Sequence, residues 1–94
     1  MDQLRIVVRG GSAALVGELD GTDRSRLLAA FAHLRGDTMT VDLAGLTFVD
    51  SGGLRALIDL RAAHPRLQLV EPSKATQRIV RVVLPDRYLF GEAS

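Results

Sequence analysis

The spacing of apolar residues changes period repeatedly along this chain, and that alternation confines it to an α/β fold. Residues 4–9, LRIVVR, mix alternation with β-branched side chains and read as a strand. Gly10-Gly11 supplies a tight hairpin turn, and residues 12–16 return antiparallel. The period then lengthens. Leu27, Leu28, Phe31 and Leu34 share one helical face, with Thr22 or Asp23 as N-cap and Gly36 past the end. Residues 39–43 alternate again, with Met39, Val41 and Leu43 on one side. A second helix comes next, carrying Leu54, Leu57, Ile58 and Ala62 on its inner face and an Arg55–Asp59 pair outside. His64-Pro65 stops that helix. Residues 66–70 form a short strand with Leu67 and Leu69 on one side. Pro72-Ser73 opens a third helix with Thr76, Ile79, Val80 and Val83 inward, and Pro85 closes it.

The order β-β-α-β-α-β-α implies parallel strands joined by right-handed helical crossovers. The expected architecture is α/β: one domain over residues 1–94, with a mixed β-sheet, an antiparallel N-terminal hairpin and helices packed on the sheet. Phe31 and Phe48 are core candidates.

Composition removes several functions. The 12 basic and 11 acidic residues are scattered and leave a net charge of +1, so no basic stripe is offered to nucleic acid. The chain has no cysteine, which excludes thiolate catalysis and disulfides. The N-terminal residues lack the apolar run of a signal peptide, and no segment is long and apolar enough to insert in a membrane. A cytoplasmic protein is expected.

In open α/β sheets, sites form where parallel strands turn into helices. Two such corners occur here, GELDGT (residues 17–22) and VDSGG (residues 49–53). Both carry an aspartate and glycine, and both are expected at one edge of the sheet. Glu18 either faces that edge or is a solvated strand end. Ser51 admits four readings. As a helix cap, Asp50-Ser51 would contribute about 1 kcal/mol. As a nucleophile, Ser51 needs a nearby base. His64 lies 13 residues on in the same helix, or about 20 Å away, and His33 ends the preceding helix at the opposite pole. The G-x-S-x-G elbow also fails, because position 49 is Val. An enzyme is not expected. A phosphate-binding loop lacks its cation, since no Lys or Arg lies between Met39 and Gly53. The fourth reading makes Ser51 the substrate of another enzyme. A phosphate there would add about −1.5 to −2 charge beside Asp50 and disrupt a docked partner. Gly52 and Gly53 accept a helix-propensity cost of roughly 0.8–1 kcal/mol each, which fits close approach of another molecule or a tight bend.

Three segments carry a resemblance. GELDGTDRSRLLAAF (residues 17–31), LTFVDSGGLRALIDL (46–60) and LVEPSKATQRIV (69–80) are similar, in order, to the segments of STAS-domain anti-anti-sigma factors. The second resembles the signature D-S-[ST]-G-[LVI], and together the three span nearly the whole chain.

The resemblance implies an anti-sigma factor antagonist. Its unphosphorylated form would bind an anti-sigma factor that is also a GHKL-type serine kinase, and so free a sigma factor. The kinase would phosphorylate Ser51, with Asp50 as the preceding acid, and a phosphatase would reset the switch. Asp20 would contact the partner and orient the reaction, with Gly21 and Thr22 beside it. Gly52, Gly53, Leu54 and Arg55 would complete the docking corner. ATP and magnesium would belong to the partner, leaving this chain without a cofactor or metal. Three features depart from the family pattern. Gly52 replaces a Ser or Thr, leaving Ser51 as the sole hydroxyl there. Arg55 replaces a small residue, and the tail after Pro85 is short. A related expectation is a STAS subunit of a phospholipid-trafficking ABC transporter that docks on the ATPase subunit.

Overall fold

A computed structural model describes residues 3–34 and 36–83. Pro85 and the tail after it lie outside the described residues. Among the described residues four strands, β1 (Arg5–Arg9), β2 (Ser12–Leu19), β3 (Met39–Val49) and β4 (Leu67–Val70), form one sheet in the order β1-β2-β3-β4. β1 and β2 are antiparallel, while β2–β3 and β3–β4 are parallel. Among the described residues three α-helices accompany the sheet: α1 (Arg24–Ala30), α2 (Ser51–Ala63) and α3 (Lys74–Val83). This is the mixed α/β architecture the periodicity implies.

Arg9 pairs with Ser12 across the hairpin. Gly10 takes a φ of 56°, as a two-residue loop with glycine at its first central position requires. β2 alternates without interruption: Ala13, Leu15, Gly17 and Leu19 are buried, and Ser12, Ala14, Val16 and Glu18 face the other side. β3 begins the same way with Met39, Val41 and Leu43 buried, and Leu67 and Leu69 of β4 lie in register with Met39 and Val41. α1 and α2 add Leu27, Leu54, Leu57 and Leu60, and Phe31 at the end of α1 is fully buried. Each such side chain contributes roughly 1.5–3 kcal/mol relative to exposure.

β3 departs from the expected strand. It runs on to Val49, six residues beyond Leu43, and carries two irregularities against β2. Ala14 and Val16 of β2 face Asp42 and Gly45, while Gly17 and Glu18 face Leu46 and Phe48, so β3 holds an extra residue each time. Every extra residue turns the next stretch of the strand to the opposite face. Burial therefore steps from Leu43 to Leu46 to Val49 instead of alternating. Phe48, expected in the core, falls opposite Glu18 on the outer face and is 46% exposed.

The helices bring three further corrections. α1 ends at Ala30, so Leu34 is buried beyond it, and Gly36 takes its φ of 86° in the following loop. Asp23 stands at the N-cap of α1, one of the two residues expected there, but does not cap it with its side chain. Asp20 caps a short 3-10 turn (Gly21–Asp23) that leads into α1. Ala62 is exposed, and Ala56 and Leu60 take the inner face beside Leu54 and Leu57. Val83 is 44% exposed, whereas Ile79 and Val80 pack against the core.

The end of α2 and the start of α3 fall as expected. His64 is the C-cap of α2 and leaves the helical region, as a residue before proline does. Ser73 caps α3: its hydroxyl accepts from the Thr76 N–H at 3.2 Å and bonds the buried Thr76 hydroxyl at 2.9 Å. Among the described residues, no helix is long and apolar enough to cross a membrane.

Candidate functional site

Both strand-to-helix corners lie at the carboxyl ends of adjacent parallel strands, β2 and β3, and they touch. The Asp50 N–H donates to the Leu19 carbonyl at 3.4 Å, carrying the β2–β3 pairing into the corner. A Cβ added at Gly52 would stand 2.9 Å from the Gly21 Cα and 3.4 Å from Asp50 Oδ1. A Cβ at Gly53 would stand 2.9 Å from the Leu19 carbonyl carbon and closer still to its oxygen. The two glycines are thus required by the chain's own backbone, which passes too close for a side chain. That is the physical source of their cost in helix propensity.

Asp50 is the N-cap of α2. Its Oδ1 accepts from the Gly53 N–H at 2.7 Å, and its carbonyl accepts from the Leu54 N–H at 2.9 Å. The cap function is therefore borne by Asp50. Ser51 is the first residue of α2 and is exposed.

The neighbouring corner is built by reciprocal bonds. Asp20 Oδ1 accepts from the Thr22 hydroxyl and from the Thr22 N–H at 2.9 Å. Asp23 Oδ2 accepts from the Asp20 N–H at 3.0 Å. These form a capping box around Gly21. The Thr22 hydroxyl, followed by its N–H, holds the Asp20 carboxyl below the usual carboxylate range. Asp20 stays charged at neutral pH and stands half-buried, with Gly21 and Thr22 exposed beside it. The role of Asp23 was legible in the spacing Asp20-Gly21-Thr22-Asp23, an acid three residues after the cap.

Arg55, one turn after Ser51, is exposed, and its Nε lies 3.5 Å from Asp59 Oδ1. Asp59 also receives Arg24 Nε from α1 at 2.8 Å, a contact that sequence spacing did not reveal. Arg24 is the main reason the Asp59 carboxyl titrates below its ordinary range.

The residues expected at the docking corner thus divide. Asp20, Gly21, Thr22, Asp50, Ser51, Gly52 and Arg55 reach its surface. Gly53 and Leu54 do not: both are buried, Leu54 to 1% exposure, and they shape the corner from beneath. His64 caps the opposite end of the helix that Ser51 begins. Among the described residues no group of three or more His, Asp or Glu is arranged to hold a metal.

The mixed-sheet α/β domain thus presents a pair of joined, acidic strand-to-helix corners. The family model described as "Mlab, STAS domain" matches residues 4–89. The chain belongs to that STAS domain family. No curated protein matches it.

Proposed function

We propose that this STAS domain is an anti-sigma factor antagonist, a docking module and not an enzyme. In its unphosphorylated form the joined corners bind an anti-sigma factor with a GHKL-type kinase fold, which frees a sigma factor. The observation that carries the reading is the division of labour at the start of α2. Asp50 supplies the cap, and the adjacent exposed Ser51 is spared for chemistry.

In the proposed reaction the Ser51 oxygen attacks the γ-phosphorus of ATP bound by the partner. The new O–P bond forms as the bond to the ADP oxygen breaks, and the hydroxyl proton passes to a base of the kinase. The fold has reason to survive, because a helix N-terminus favours negative charge. The docked partner meets the dianion beside Asp50 and the Asp20 corner. A loss of about 4 kcal/mol there is roughly a thousandfold in affinity. A phosphatase then restores the hydroxyl.

The test is incubation with ATP and each anti-sigma kinase encoded in the same genome, read by intact mass and by binding. One kinase adding a single phosphoryl group to the parent and none to Ser51→Ala supports the reading. Absence of both modification and binding sinks it.

The description of the matching family favours a second reading, since it names an Mlab STAS domain rather than a sigma regulator. In that case the same corner docks on the ATPase subunit of a phospholipid-trafficking transporter. Neighbouring genes separate the two: sigma factor and kinase for the first, permease and ATPase for the second.

A further inference from the structure

We infer that Arg55 is the intramolecular clamp of a phosphate on Ser51, exchanging its contact with Asp59 for the phosphate when the switch is set. The inference rests on the reading of Ser51 as phosphoacceptor.

Ser51 and Arg55 are four residues apart on one helix and therefore neighbours on one face. Helical Cα–Cβ bonds tilt toward the N-terminus, so the long Arg55 side chain, now beside Asp59, can swing back over the turn that begins with Ser51. Both residues are exposed, the Arg55 side chain to 75%, which leaves the guanidinium free to swing between partners.

Its present partner is weakly held. The Arg55–Asp59 contact is long at 3.5 Å, and it places the cation N-terminal to the anion, the poorer of the two helical orders. A phosphate on Ser51 reverses the order: the anion precedes the cation by four residues. The phosphate also brings more charge than a carboxylate, and its oxygens match the planar guanidinium fork. Asp59 is not abandoned by the exchange. Arg24 holds it at 2.8 Å from α1, so its charge remains paired when Arg55 leaves.

The consequence is local. The clamp offsets part of the repulsion between the phosphate and Asp50, and it makes the phosphorylated corner a stable state in the absence of a partner. In the sequence Arg55 is foreign to the family pattern, a partner of Asp59 and a member of the docking corner; the geometry adds a task on the phosphate.

The experiment needs no kinase. Phosphoserine is installed at position 51 during translation, in the parent and in the Arg55→Gln and Arg24→Gln variants. The second ionisation of the phosphate is then followed by ³¹P NMR. The helix N-terminus, Asp20 and Asp50 act on it in all three proteins, so they cancel. The expected result is a midpoint at least about 0.2 pH unit higher in Arg55→Gln than in the parent, the size of one helical ion pair. Arg24→Gln, which leaves Asp59 competing harder for Arg55, is expected to rise by less than Arg55→Gln. Equal midpoints for the parent and Arg55→Gln overturn the clamp, as does a larger rise in Arg24→Gln. Because the phosphate is supplied synthetically, failure here leaves the kinase reading standing. Failure to find a kinase, in turn, does not alter this titration.

Discussion

Gly53 of α2 lies against the backbone of Leu19 in β2, where a Cβ would come within 2.9 Å of the Leu19 carbonyl carbon. This contact locks the second strand-to-helix corner onto the end of the neighbouring strand. It also ranks three glycine substitutions. Gly53→Ala gains about 1 kcal/mol of helix propensity but must displace a backbone carbonyl, and overpacking of that kind costs roughly 1–3 kcal/mol or more. A net loss is expected in urea unfolding. Gly52→Ala meets the Gly21 Cα at 2.9 Å and should also destabilise. At Gly21 an added Cβ has ordinary contact with the Gly52 Cα, 3.5 Å away, so Gly21→Ala should fall within about 0.5 kcal/mol of the parent.

Asp50 and Ser51 should separate cleanly in stability. Asp50→Ala removes the acceptor of the Gly53 N–H, and a loss of roughly 0.5–2 kcal/mol is expected. Ser51→Ala should change stability by less than about 0.5 kcal/mol. Ser51→Glu should fold normally and bind the partner weakly. Chemical denaturation with a titration calorimeter reads all three, and parent-like binding by Ser51→Glu would leave the corner without a switch.

Two phenylalanines, both core candidates by sequence, should behave very differently. Phe31 is fully buried, and Phe31→Ala is expected to cost about 3–5 kcal/mol. Phe48 is 46% exposed on the outer sheet face, so Phe48→Ala should cost markedly less, about 1 kcal/mol. Equal losses in guanidinium unfolding would contradict the second bulge in β3.

Asp59 gives the pH dependence a sign. Hydrogen bonding from Arg24 lowers its folded pKa below the unfolded value, so its contribution is present above the unfolded pKa. It is lost as pH falls through the folded value. Asp59→Asn should therefore be less stable than the parent at pH 7, and the two should converge in the acid range below about pH 4. Added salt should narrow the gap at pH 7, since the pair is partly exposed. Thermal melts at a series of pH values check both points.

The sequence by itself determined the element order, the antiparallel hairpin, the parallel crossovers and the existence of two acidic corners. Hydrophobic period, glycine turns and caps are properties of residues within about seven positions of one another, and such signals are legible in a single chain. Met39, Val41 and Leu43 show this: their alternation placed them inward, and they are buried. Only the tertiary structure decided which way Phe48 faces. Its side depends on the two extra residues in β3, and those are defined only against the partner strand β2. The same holds for Gly53, whose bare Cα answers to Leu19, 34 residues earlier, and for Arg24, whose charge finds Asp59 across two helices. Each of these contacts joins segments that meet only once the chain has folded, so no local spacing of residues could encode it.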